Sequence, residues 1–143
     1  MFLITWYSRR YLTNNYLLII KKCNIKLKLA QDLLPIMVDA GQIEQVLVNL
    51  ITNAYQAMPE GGKLMISDIQ NKDRVSLSVE NTGIGIAPEN LERIFEPLFT
   101  TKAKGIGLGL TVTKLLTEAN ESTISVESEV GKGTVFTVSF PTK

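Results

Sequence analysis

Apolar residues recur along this chain in two periods. Ile25, Leu27 and Leu29 alternate with Lys26 and Lys28, the two-residue period of a half-buried strand. Pro35 opens a short extended piece at residues 36–39. From Gln42 to Met58 the period lengthens. Ile43, Val46, Leu47, Leu50, Ile51 and Ala54 there form one stripe of a long helix. Pro59-Glu60-Gly61-Gly62 reads as a turn. Leu64 and Ile66 mark a second strand, and Asn71-Lys72-Asp73 turns it back. Val75, Leu77 and Val79 then alternate with serines in an antiparallel partner. Pro88 suits the first turn of a short helix running to Phe95. A later helix carries Leu108, Val112, Leu115, Leu116 and Ala119 as its apolar side. The chain closes in a hairpin, with Ile124 and Val126 before Gly131-Lys132-Gly133 and Phe136, Val138 and Phe140 after it. Paired strands with amphipathic helices between them predict an α/β two-layer sandwich. Its mixed sheet has about five or more strands packed on about three helices, with the other face open or lightly covered.

Residues 1–23 differ from the rest. Phe2, Trp6, Tyr7, Tyr11 and Tyr16 lie there, whereas every glycine falls at Gly41 or later. Phe2, Trp6, Thr13, Tyr16 and Ile20 share roughly one helical face. The segment reads as amphipathic, either packed on its own domain or the remnant of a preceding helix. Its aromatics predict self-association as a homo-dimer through residues 1–20. Arg9, Arg10, Asn14 and Asn15 interrupt it, so no membrane span is expected. Residues 24–143 form the main domain.

Composition narrows the chemistry. An apolar fraction of 45% with 20% charged residues supports a folded core. A net charge of +1 gives no electrostatic case for nucleic acid. The single cysteine, Cys23, excludes an internal disulfide. The chain has 0 histidines, which excludes imidazole bases, Ser-His triads and His metal sites within it.

Three features remain that could carry chemistry. The long helix holds Gln42, Gln45, Asn49, Asn53 and Gln56 on one side, next to its apolar stripe. Asparagine is a poor helix-interior residue, so two of them four apart suggest a need for amide oxygens. A neutral amide can ligate a hard cation such as Mg²⁺ without adding charge beside phosphates. The spacing leaves a solvated polar face open as well. Two glycine loops follow, Asn81-Thr82-Gly83-Ile84-Gly85 after a strand and Gly105-Ile106-Gly107-Leu108-Gly109-Leu110 before a helix. Glycines let backbone N–H groups approach phosphates closely. Neither loop matches a phosphate-loop or dinucleotide fingerprint. Between them, Phe95-Glu96-Pro97-Leu98-Phe99-Thr100-Thr101-Lys102 reads as an anchored loop, or as a lid whose lysine reaches a phosphate.

In this order the pieces resemble the catalytic ATP-binding domain of sensor histidine kinases, in the superfamily that includes gyrase, Hsp90 and MutL. The likeness covers residues 24–141. Gln45 to Ala54 is similar to that family's N box, Val79 to Ile86 to its first glycine box, and Phe95 to Phe99 to its F box. Gly105 to Leu110 resembles the second glycine box, and Gly131 to Thr134 the last. Thr100-Thr101-Lys102 resembles the short lid of the nitrogen-regulator subgroup. The resemblance implies the Bergerat fold, ATP and Mg²⁺ as ligands, and a cytoplasmic location. Asn53 would bind Mg²⁺, and Asn49 would line the triphosphate region. Ile84 and Ile86 would flank the adenine, with Asn81 and Thr134 close to it and Gly83 and Gly85 shaping the loop. Thr101, Lys102 and the N–H groups at Gly105, Gly107, Leu108 and Gly109 would hold the phosphates. Asn53 and Lys102 would be the catalytic groups.

The implied activity is γ-phosphoryl donation to a histidine on a separate dimerisation domain, with a response regulator as the indirect partner. Related branches carry a glutamate where Asn49 stands, and an amide cannot activate water as a carboxylate can. A non-catalytic nucleotide-binding or docking module, or a stand-alone anti-sigma-type serine kinase, is the alternative. Four departures stand out. Asn81 replaces an aspartate that accepts a hydrogen bond from the adenine amine, and Asn81 is expected to offer Oδ1 to it. Asn120-Glu121-Ser122 replaces His-Gly-Gly, which should cost the helix its left-handed cap. Leu98 replaces a phenylalanine, and Ile106 a small or hydroxyl residue.

Overall fold

The structure, a computed structural model, describes residues 23–30, 32–97, 99 and 109–142. The N-terminal segment, with its expected dimer contact through residues 1–20, lies outside them. The elements run β1 (Cys23–Lys28), α1 (Ala40–Gln56), β2 (Gly62–Asn71), β3 (Arg74–Asn81), α2 (Pro88–Leu91), α3 (Gly109–Ala119), β4 (Thr123–Glu129) and β5 (Gly133–Pro141). The sheet order is β1-β2-β3-β5-β4. β1 pairs parallel with β2, and the other neighbours are antiparallel. This is the mixed five-stranded sheet with three helices that the pattern predicts.

The core lies between α1 and one face of the sheet. Leu64, Ile66, Val75, Leu77, Val79, Phe136, Val138 and Phe140 are buried from the strands, and Ile43, Val46, Leu47, Leu50, Ile51 and Ala54 from α1. All six stripe residues of the long helix are therefore where the period puts them. Asp39 starts that helix, its Oδ1 accepting the Gln42 N–H at 2.9 Å. The helix lies two residues earlier than predicted. The opposite sheet face carries Ser76, Ser78, Thr137 and Ser139. The Ser78 and Thr137 hydroxyls meet there at 3.1 Å, and Arg74 Nε donates to Ser139 Oγ at 2.7 Å.

Three readings are corrected. Leu27 is 39% exposed rather than half-buried, because β1 is the sheet edge while α1 packs over β3. The short helix ends at Leu91, and turns carry the chain on, with Arg93 N–H donating to Asn90 O and Glu96 N–H to Arg93 O. In α3 only part of the expected apolar side packs inward: Leu116 is half-buried against the core. Val112 is 39% and Leu115 61% exposed, whereas Thr113 and Thr117 are buried. Their hydroxyls donate to the carbonyls of Gly109 and Thr113, each at 2.7 Å. A threonine so satisfied can enter a packed interface with its methyl group. None of the described helices is long and apolar enough to cross a membrane.

The end of α3 also differs from expectation. Ser122 N–H donates to Thr117 O and Glu121 N–H to Glu118 O, the paired bonds of a Schellman cap. The cap is kept without glycine, by placing Glu121 at φ 55°. A side chain in that region costs about 1 kcal/mol relative to glycine. Glu121→Gly should therefore raise the unfolding free energy by about 1 kcal/mol in a urea titration. A loss of stability would show that Glu121 makes a compensating contact.

Candidate functional site

Two segments meet α1 on the side of its amide residues. At its C-terminal end, the loop after β3 presses directly on the helix. Ile84 N–H donates to Ala57 O at 3.0 Å, and Ala57 N–H in turn donates to Asn53 O at 3.0 Å. A Cβ on Gly83 would overlap the Ala57 carbonyl oxygen and sit 2.9 Å from Asn81 Oδ1. Only a glycine lets the backbones come this close. Gly85 holds φ 77°, and Gly131 N–H reaches Ile84 O at 2.9 Å, which ties the loop to the β4–β5 turn. Ile84 is left 59% exposed and Ile86 half-buried.

One turn and more toward its N-terminus, α1 meets the start of α3. Asn49 Nδ2 donates to Gly109 O at 3.2 Å and to Thr113 Oγ1 at 3.1 Å, while Gln45 Nε2 donates to Asn49 Oδ1 at 2.9 Å. Further along the seam, Asn120 Nδ2 donates to Gln42 Oε1, and Asn120 Oδ1 accepts the Asp39 N–H, both at 2.8 Å. The amide stripe is thus partly an interhelical seam rather than a solvated face. The seam fixes where α3 begins relative to Asn53.

Asn81 and Thr134 are register partners on β3 and β5, both buried. Asn81 Oδ1 accepts the Gly83 N–H at 2.9 Å, which leaves the oxygen a second lone pair. Thr134 Oγ1 lies 2.7 Å from Ser128 Oγ, which also accepts the Ile86 N–H at 2.7 Å. Phe95 anchors the following segment, edge-on to Phe136 with ring centroids 6.4 Å apart. Thr111 Oγ1 donates to Phe95 O at 2.9 Å.

The described residues place Asn49, Asn53, Asn81, Gly83, Ile84, Gly85, Ile86, Gly109 and Thr134 on α1, the start of α3, the loop after β3 and the neighbouring strand ends. Thr101, Lys102, Gly105, Gly107 and Leu108 lie outside them, as do Leu98, Ile106 and the short lid on which the nitrogen-regulator likeness rests. Sequence reasoning missed Ser128, Thr113 and Asn120. The four-residue spacing of Thr113 and Thr117 was the available signal for a buried hydroxyl face. Among the described residues no three His, Cys, Asp or Glu side chains gather into a metal-holding group. A cation here would draw on amide oxygens and on its ligand's own charge.

The fold agrees with known proteins. The family model described as histidine kinase-, DNA gyrase B-, and HSP90-like ATPase matches residues 38–143, and the chain belongs to that family. Within it, the chain is of the type that forms the catalytic ATP-binding domain of histidine kinases. It is 39% identical over 120 residues to sporulation kinase E of Bacillus subtilis (strain 168), covering 83% of this chain and 16% of that protein. It is 43% identical over 138 residues to the sensor kinase CckA of Brucella abortus (strain 2308), covering 85% of this chain and 15% of that one. The chain thus spans less than a fifth of the length of these relatives. The solved catalytic domain of histidine kinase ThkA superposes with a TM-score of 0.83 at 31% identity, covering 98% of this chain and 92% of that chain. Full-length ShkA in complex with AMPPNP gives 0.83 at 28% identity, covering 99% and 31%.

The Gly83 contact yields a direct test. Gly83→Ala should push the loop off Ala57, destabilise the fold by about 1–3 kcal/mol, and weaken nucleotide binding. Thermal melting and a nucleotide titration read the two effects. Unchanged values in both would show that the loop has room the structure does not give it.

Proposed function

We propose that this domain binds ATP–Mg²⁺ and donates the γ-phosphoryl to a histidine on a separate, histidine-containing dimerisation domain, with a response regulator downstream. The observation that carries the reading is the pairing of two contacts on α1. The loop of Gly83 sits on its end at Ala57, and the first residue of α3 sits on Asn49. Between these contacts stands Asn53, half-buried, with no carboxylate cluster among the described residues. That donor set fits a Mg²⁺ ion carried in by phosphates, because a neutral amide adds a ligand without repelling them. When bound, the ion would neutralise phosphate charge.

The remaining roles follow from chemistry. Asn49 spends its N–H groups on Gly109 and Thr113 and offers no basic atom, so the domain has no general base at this position. The acceptor imidazole would supply its own nucleophile. This chain then contributes positioning and charge neutralisation, which dominate phosphoryl transfer. Lys102, Thr101 and the N–H groups of Gly105, Gly107, Leu108 and Gly109 would hold the phosphates. Ile84 and Ile86 would cover the base. The family match and the AMPPNP complex of ShkA support the nucleotide part, and the relatives' names as sensor and sporulation kinases support the kinase part.

With 0 histidines, the chain alone should acquire no phosphohistidine from γ-labelled ATP. Adding a histidine-containing dimerisation domain of a related sensor kinase should place acid-labile label on that domain. Acid-stable label on this chain would instead favour a serine kinase, and no label anywhere a binding module. Asn53→Ala should weaken ATP binding mainly when Mg²⁺ is present, with a smaller loss in EDTA. Equal losses in both conditions would assign Asn53 to packing.

A further inference from the structure

The seam between α1 and α3 is held at two places. Gln42 and Asn49 stand about two turns apart along one side of α1. Asn49 meets Gly109 and Thr113 at the start of α3, whereas Gln42 meets Asn120 just past its end, so the helices run antiparallel. The bonds at the far end are the shorter ones. Asn49 Nδ2 reaches Gly109 O at 3.2 Å and Thr113 Oγ1 at 3.1 Å. Asn120 Oδ1 accepts the Asp39 N–H, and its Nδ2 donates to Gln42 Oε1 and to Leu116 O, each at 2.8 Å. Asn120 is 8% exposed. Its orientation is set, because turning the amide would oppose a donor to the Asp39 N–H and an acceptor to two oxygens. One carboxamide thus joins the cap and first turn of α1 to the last turn of α3.

Apolar packing does not duplicate this clamp. The residues α3 buries are Thr113 and Thr117, with Leu110 and Leu116 half-buried beside them. A low threonine face resists separation, but it resists pivoting less than interdigitated leucines would. Without the Asn120 carboxamide, α3 is held to α1 by the longer bonds at Asn49, about which its axis can turn. Gly109 lies about 16 Å from Asn120 along that axis. The N–H groups of the first turn lack partners within the helix and turn with it.

We propose that Asn120 is a positioning residue for triphosphate binding. It acts from the far end of α3, by fixing the direction of the helix whose first N–H groups would face the phosphates. The proposal rests on the nucleotide reading given above, in which Asn120 touches neither nucleotide nor metal.

The test is calorimetric titration with AMPPNP and Mg²⁺ at a temperature where circular dichroism shows each variant folded. Asn120→Ala should weaken binding about tenfold. It should also shift the backbone amide resonances of Gly109 and Leu110 in the ligand-free chain, about three turns away. Asn120→His should restore most of the affinity, because a neutral imidazole accepts at one ring nitrogen and donates at the other. Asp39→Ala removes the side-chain cap of α1 but keeps the N–H that Asn120 accepts. It should lower the melting temperature and leave affinity unchanged. A folded Asn120→Ala that binds as the native chain does overturns the proposal. So does an equal loss of affinity in Asp39→Ala, or no recovery with histidine. If Asn120→Ala does not fold, Gln42→Ala cuts the cross-helix bond from the other side. It should weaken binding in the same direction, and unchanged affinity overturns the proposal. A folded native chain that binds no AMPPNP overturns the nucleotide reading instead.

Discussion

The arrangement of the site depends on one close approach, that of the Gly83 backbone to the carbonyl of Ala57. The α1 helix delivers that carbonyl at its C-terminal end, where helix carbonyls lack partners within the helix. Ile84 N–H satisfies it at 3.0 Å. The bond joins the helix layer to the strand-end loop without any side chain between them. The β3 register then places Asn81 beside Thr134, and Gly131 N–H binds Ile84 O, so three loops share one anchor. Burial of the α1 stripe against β3 and β5 supplies the cohesion that holds the helix end in place.

The second fixed point is the seam between α1 and α3. It is built from amides and threonines, while Val112 and Leu115 of α3 turn outward. Each buried hydroxyl is satisfied within its own helix, and the amides of Asn49 and Asn120 reach across to the other helix. A polar seam specifies one register where an apolar one would tolerate sliding. Register matters here because Gly109, the first residue of α3, ends the glycine segment that would face the phosphates. On the proposed reading, a single helix would position both ends of a nucleotide.

Much of this was legible in the sequence where period and punctuation agreed. The α1 stripe, the β2–β3 pair and the terminal hairpin follow from alternation, turn residues and a long helical period. The first glycine loop could be placed because a strand precedes it. Legibility failed where a side chain's polarity is cancelled locally. Thr113 and Thr117 look polar in sequence yet are buried, since their hydroxyls bond to carbonyls one turn back. Val112 and Leu115 look like core and are not. Glu121 keeps a cap that glycine would occupy, because αL costs little against two satisfied carbonyls. The Asn81 orientation was hidden for a different reason: it depends on the Gly83 N–H two residues on, a contact with no sequence period.

The central claim is that the nucleotide lies between α1, the loop after β3 and the start of α3. Backbone amide chemical-shift mapping with AMPPNP and Mg²⁺ tests it directly. The account predicts the largest shifts at Asn53, Asn81, Gly83, Ile84, Gly85 and Gly109. Ser76, Ser78, Thr137 and Ser139, on the opposite sheet face, should move least. Shifts concentrated on that open face, with the Gly83 loop unmoved, would contradict it.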